Sequence, residues 1–108
     1  MDLSPAIATY LTAHNARDTE RAIASFTPDA EVVDEGHSHH GTDAIREWLG
    51  SAASEYTYTT ELVSAMRVDD DRYDVVQHLE GNFPGGVVDL HYRFTMRGDA
   101  VARLVIEP

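Results

Sequence analysis

Three side chains in the first third of the chain have the types and spacing of a proton-transfer site: Tyr10, His14 and Asp34. Asp34 closes the run Ala30-Glu31-Val32-Val33-Asp34, which reads as a short strand. A partly desolvated carboxylate at such a strand end, directed into a pocket mouth, is suited to act as a general base. Tyr10 offers an apolar ring and one hydroxyl, which could donate to a substrate carbonyl as negative charge develops there. His14 lies one helical turn beyond Tyr10 on the same face, where it could tune that hydroxyl or exchange a proton itself. Each also has a plainer role. Asp34 could cap a backbone amide, Tyr10 could be a core tyrosine bonded to a backbone carbonyl, and His14 could be a surface or core histidine.

Other clusters point less clearly to chemistry. His37, His39 and His40 are imidazoles in a short polar stretch, and zinc needs fixed geometry and supporting partners as well as nitrogen donors. A solvated loop is expected, and no metal. Asp69-Asp70-Asp71 lacks the rest of a calcium loop and reads as a hairpin turn. The chain has no cysteine, so thiolate nucleophiles, disulfides and zinc–thiolate sites are excluded. All eight bases are arginine, which excludes lysine Schiff bases and lysine-dependent phosphate loops. No cofactor is expected. Nineteen acids against eight bases give a formal net charge of -11, which disfavours binding to nucleic acid or to anionic membranes.

The elements that must position these residues follow from punctuation and period. With 108 residues, the chain is expected to form one domain over 1–108. Ser4-Pro5 predicts a helix start, and Ile7, Tyr10, Leu11 and His14 share one face. Asp18 predicts the cap of a second helix with Ala22, Ile23 and Phe26 on its inner side, stopped by Pro28. Thr42 predicts the cap of a third, with Ile45, Trp48 and Leu49 inward and Gly50 at its end. From Tyr56 the period becomes two, and strands are expected near 56–68, 72–83, 87–97 and 100–107. Helices followed by a long meander give an α+β fold: three N-terminal helices on a curved, mainly antiparallel sheet around a cone-shaped pocket. Phe26, Trp48, Tyr58, Leu90, Tyr92 and Phe94 are the expected walls, or simply core. The N-terminal segment has no basic stretch and no long apolar run, so a cytoplasmic location is expected.

The hairpin register decides which polar groups join them, because a one-residue slip turns every side chain over. If Phe83 faces Val88, then Leu79 faces Tyr92, and His78 and Glu80 join Asp89, His91 and Arg93 on the outer face. If Phe83 faces Val87, His78 and Glu80 enter the pocket. The first separates polar from apolar and is the expected one.

The helix pair, the strand ending in Asp34, the stretch Gly41-Thr42-Asp43-Ala44-Ile45-Arg46-Glu47-Trp48 and the long hairpins resemble the nuclear transport factor 2-like superfamily, and within it the polyketide cyclase SnoaL-like group. Leu79-Glu80-Gly81-Asn82-Phe83-Pro84-Gly85-Gly86 followed by Leu90-His91-Tyr92-Arg93-Phe94 is similar to a stretch of its bacterial members. Laid on the ketosteroid isomerases of the superfamily, Tyr10 falls on their oxyanion-hole tyrosine and Asp34 on their general base. Their protonated aspartic acid falls on Leu90, which cannot donate a hydrogen bond. The resemblance implies a cofactor-independent isomerase, cyclase or lyase acting on a small apolar carbonyl compound. The alternative, for which Leu90 speaks, is a non-catalytic ligand-binding or dimeric interaction module, and the resemblance implies a homodimer through the sheet face.

Overall fold

The computed structural model describes residues 3–55 and 57–108, the side chains of 52–55 excepted. Helix α1 (Pro5–Asn15) starts as expected: the Ser4 hydroxyl accepts from the Ile7 amide at 3.3 Å, and Pro5 occupies the first turn, where its missing N–H costs nothing. It buries Ile7, Tyr10, Leu11 and Ala13. Asp18 caps α2 (Thr19–Ile23) through the Arg21 amide.

That second helix is shorter than the spacing implied. Phe26 and Pro28 belong to β1 (Phe26–Asp34) and not to the helix or its stop. The Ser25 carbonyl accepts from the Val101 amide at 2.8 Å, so the sheet captures the chain before the proline is reached. Pro28 sits where the β1–β6 pairing is irregular, between Phe26 and Glu31, and so removes no ladder bond.

The three-histidine stretch is not a loop. His37–His40 forms edge strand β2, paired antiparallel to β1. Glu35 (φ 53°) and Gly36 (φ 76°) between them both take the left-handed conformation that a two-residue hairpin turn of this hand demands. Helix α3 (Thr42–Glu55) begins at Thr42, the Gly41 carbonyl accepting its first bond from the Ile45 amide. It runs through Gly50, which costs a helix only about 1 kcal/mol and does not stop one followed by alanines. The expected strand start at Tyr56 lies outside the described residues.

Strands β3 (Tyr58–Arg67), β4 (Arg72–Gly81), β5 (Val87–Arg97) and β6 (Ala100–Glu107) complete a curved six-stranded sheet of order β2-β1-β6-β5-β4-β3. All neighbours are antiparallel except β1 and β6. The fold is therefore α+β with helices on one sheet face.

In the β4–β5 hairpin, Leu79 pairs with Val88 and not with Tyr92, which faces Val75. Asn82 is tied across to Thr57 by two hydrogen bonds, and Gly81 closes on Gly86, so the strands separate before Phe83 can pair. The displacement from the expected partners is even, so the faces keep their assignment. His78 and Glu80 lie with Asp89, His91 and Arg93 on the outer face. There His78 Nδ1 meets Asp89 at 2.5 Å, His91 Nδ1 meets Asp74 at 2.9 Å, and Arg93 donates to Glu107 at 3.0 Å. The inner face carries Val32, Val75, Phe94, Leu104 and Ile106, closed by α1 and α3.

Candidate functional site

Helix α1 delivers Tyr10 and His14 onto the inner face of the sheet one turn apart. The Tyr10 hydroxyl lies 2.9 Å from His14 Nδ1, and His14 Nε2 lies 3.2 Å from the Tyr58 hydroxyl, so three side chains from α1 and β3 form one hydrogen-bonded chain. Tyr10 is fully buried, while His14 and Tyr58 are half-buried. Tyr10 meets Phe26 and Phe94 edge to face, with ring centroids 5.4 and 5.8 Å away. Burial lowers the pKa of His14, an effect that the negative charge of Asp34 opposes. Burial pushes the Tyr10 hydroxyl well above its ordinary range, reinforced by Tyr92, Tyr58 and Asp34. Tyr58 is raised by burial too. The positive charge of Arg17 works against that, and Asp34 adds to it.

Asp34 is the last residue of β1 and shares the inner face with Ala30 and Val32, because the side-chain period is two. It is half-buried, and its Oδ2 accepts from the Trp48 indole N–H at 3.0 Å. Trp48 comes from α3, so the carboxylate is held where helix and strand meet. The pairings set Asp34, Ile106, Tyr92 and Val75 side by side across β1, β6, β5 and β4. Leu90 stands two residues before Tyr92 on the same face, opposite Gln77. Burial raises the Tyr92 hydroxyl strongly, as do Tyr58 and Asp34, and a hydrogen bond with Gln77 moderates the rise.

Tyr58 reaches His14 because β3 and β4 approach closely at Gly81, its cross-strand partner. A Cβ at position 81 would lie 2.5 Å from the Tyr58 Cβ and would also strike the Thr57 carbonyl oxygen. A glycine inside a strand marks such a close approach.

The structure thus brings Tyr10, His14, Asp34, Trp48, Tyr58 and Tyr92 to one end of the inner face. A hollow among the described residues lies elsewhere. Of about 550 Å³, it is lined by Ser4, Pro5, Asp70, Asp71, Tyr73, Met96, Gly98 and Asp99, and includes none of the expected wall residues. Phe26, Trp48, Tyr92 and Phe94 pack into the core, each at most 9 % exposed, and Leu90 is half-buried against them. The accessible surface of the site belongs mainly to Asp34, His14, Tyr58 and Leu90.

The sequence did not single out Gln77 or Arg17, and it placed His39 in a solvated loop. Gln77 was detectable as the one polar residue alternating with Val75 and Leu79 on an apolar face. Arg17 takes a left-handed turn after α1 (φ 58°) that no residue type announces. His39 lies tilted over Trp48, centroids 6.0 Å apart. Among the described residues no three His, Cys, Asp or Glu side chains gather to hold a metal. No helix among them is long and apolar enough to cross a membrane.

Against known structures, the chain is similar to a candidate polyketide cyclase of Sinorhizobium meliloti, at 37% identity over 99% of this chain and 97% of that one, with a TM-score of 0.92. A Catenulispora acidiphila protein of ketosteroid isomerase-like fold, in complex with trimethylamine, matches at 16% identity over 98% and 87% of the two chains, with a TM-score of 0.84. A Mycobacterium tuberculosis protein in complex with estradiol-17β-hemisuccinate matches at 14% identity over 95% and 90%, with a TM-score of 0.79. These two show the shared fold alone. No curated protein matches the chain. The SnoaL-like domain pattern covers residues 7–105, nearly everything from α1 to the last strand, and the chain belongs to the SnoaL-like domain family.

Proposed function

We propose that this SnoaL-like domain binds a small apolar carbonyl compound and moves a proton on it without a cofactor, with Asp34 as the base. One observation carries the reading: the Asp34 carboxylate is anchored through a single oxygen by Trp48, on the same sheet face as the Tyr10–His14–Tyr58 chain. The second carboxylate oxygen then remains to take a proton from the carbon beside the carbonyl. Where a neighbouring double bond extends the enolate so formed, the proton would return from Asp34 to the far carbon, giving isomerisation; where the enolate attacks a second carbonyl of the same molecule, the alkoxide formed would take that proton, giving cyclisation. The Mycobacterium tuberculosis relative with its steroid ester lends support from the fold for an apolar, oxygen-bearing ligand.

The test is solvent hydron exchange. Cyclic ketones incubated with the protein in deuterium oxide should gain deuterium beside the carbonyl, followed by NMR. Asp34→Asn, which keeps an acceptor for Trp48 but removes the base, should lower that rate by about 100-fold or more, the scale of positioned general-base catalysis. Equal exchange by both proteins would reject Asp34 as the base.

A second reading, binding without turnover, is favoured by Leu90, which offers no hydrogen where an enolate would need a second donor. In either reading we expect two copies to pair through the outer sheet face, where Val63 and Met66 are at least half exposed beside the cross-strand ion pairs. Sedimentation equilibrium at micromolar concentration giving the monomer mass alone would contradict that.

A further inference from the structure

We infer that Tyr58 is the hydroxyl that meets the ligand's carbonyl or enolate oxygen, with Tyr10 acting behind it by fixing the ring of His14. The inference deepens the proposed function: it rests on the inner face being a carbonyl-binding site, but not on Asp34 being the base.

The assignment follows from counting hydrogens. A neutral imidazole carries one N–H donor and one acceptor nitrogen, and each tyrosine hydroxyl has one hydrogen to give. Two arrangements of Tyr10, His14 and Tyr58 satisfy both contacts. In the first, Nδ1–H of His14 donates to the Tyr10 oxygen and Tyr58 donates to Nε2. The hydroxyl hydrogen of Tyr10 must then find another acceptor. Tyr10 has no accessible surface, its neighbours are the rings of Phe26 and Phe94, and no second hydrogen-bond partner for it appears among the described residues. That arrangement leaves a buried hydroxyl donor unmet, which native interiors avoid. In the second, Tyr10 donates to Nδ1, which places the ring hydrogen on Nε2, and Nε2–H donates to the Tyr58 oxygen. Every buried hydrogen is then used, and the one left over belongs to the Tyr58 hydroxyl, which is half-buried and so can reach both solvent and a ligand.

Three further observations agree. Burial holds His14 towards its neutral form, the form with two distinguishable tautomers. The chain of donors polarises along its length, so Tyr58, accepting from Nε2–H, becomes a better donor outward. Arg17 adds positive charge within reach of Tyr58, which favours an oxygen that becomes negative. Tyr58 therefore fills the role that Leu90 cannot. Tyr10 and His14 are positioning residues, since neither must touch the ligand.

The test uses the whole chain with histidine labelled in nitrogen-15 and 2-naphthol as probe, its oxygen standing for an enolate oxygen. In the free protein the NMR spectrum should show His14 protonated at Nε2 alone, and Tyr10→Phe should convert it to a mixture of tautomers. Followed by fluorescence, Tyr58→Phe should weaken 2-naphthol binding about 3- to 10-fold, the scale of a hydrogen bond between neutral groups, while Tyr10→Phe stays within about twofold of wild type. The proposal is overturned if His14 of the wild type carries its hydrogen on Nδ1, if Tyr10→Phe costs more affinity than Tyr58→Phe, or if the wild type shows no saturable binding. Since the NMR arm needs only the wild type, a variant that fails to fold leaves it standing as a test. Hydron exchange tests Asp34 and probe binding tests Tyr58, so lost exchange with saturable, Tyr58-dependent binding intact counts against the base alone, and lost dependence on Tyr58 counts against this inference.

Discussion

Replacing Gly81 by alanine tests the geometry that brings Tyr58 into the site, and it does so through the sign of the effect. Gly81 is not among the glycines with positive φ, so alanine can adopt its backbone conformation. At an unobstructed position of that kind the substitution stabilises by about 0.4–1 kcal/mol, because the unfolded chain loses freedom. Position 81 is obstructed. The new Cβ would stand 2.5 Å from the Tyr58 Cβ and 2.8 Å from its Cα, with the Thr57 carbonyl oxygen also in the way. Ordinary carbon contacts lie at about 3.5–4.0 Å, so the shortfall is about 1 Å. These atoms belong to the β3 backbone or stand directly on it, and no rotamer change can clear them. Overpacking of this kind costs about 1–3 kcal/mol. Set against the entropic gain, a net loss of about 1–2 kcal/mol is expected, which at about 4–8 °C per kcal/mol lowers the melting temperature by about 5–15 °C. Urea denaturation gives the same quantity independently of heat. Moving β3 also widens the 3.2 Å contact between Tyr58 and His14, so 2-naphthol affinity should fall with stability. An alanine variant as stable as the wild type, or more so, would refute the close approach and with it the placement of Tyr58.

The two differently placed histidines should give stability opposite slopes with pH. His14, desolvated, has a lowered folded pKa, so below its unfolded value the unfolded chain binds more protons and stability is lost as pH falls from 6.5 through the folded pKa. His78, bonded to Asp89 with Glu80 and Glu61 nearby, has a raised folded pKa. Its contribution is complete below 6.5 and is lost as pH rises through that raised value. Urea midpoints across this range should flatten on the acid side in His14→Gln and on the alkaline side in His78→Gln; unchanged slopes in both would refute the assignments. Phe94→Ala removes a ring that is 1 % exposed and packs against Tyr10, and should cost about 3–5 kcal/mol in a urea melt, where a loss under about 1 kcal/mol would show that the core around Tyr10 is not tightly packed.

The order of the elements and the sheet's two faces were legible because they depend on period, which survives local error. The β4–β5 pairing illustrates this: the expected partners were wrong, yet the faces were right, since an even displacement leaves side-chain direction unchanged. What was illegible was tertiary. Pro28 reads as a helix stop in isolation, but a pairing irregularity accommodates it inside a strand. The histidines of β2 read as a loop because their strand depends on a partner, and its turn is set by left-handed Glu35 and Gly36. At the site, Tyr10, His14 and Asp34 were singled out from their types, and Trp48, Tyr58 and Tyr92 as candidate walls. The bonds joining them were not, because a hydrogen bond between residues 44 positions apart leaves no local trace.

Accessibility changes which of these groups can act. By its position along α1, Tyr10 is the obvious donor to a developing negative charge, yet a hydroxyl with no accessible surface reaches a ligand only through what it holds. It holds His14, and His14 holds Tyr58. The donor surface is thereby carried from the helix to edge strand β3, and Leu90 no longer leaves the site without a hydrogen to offer. Asp34 remains on β1, at the other side of the sheet, tied to α3 by Trp48. Under the proposed function, an oxygen donor on one side and a carboxylate on the other, with Leu90 and the ring of Tyr92 on β5 between them, would suit a ligand that lies across the sheet with its carbonyl towards β3. Its acidic carbon would then be directed towards β1.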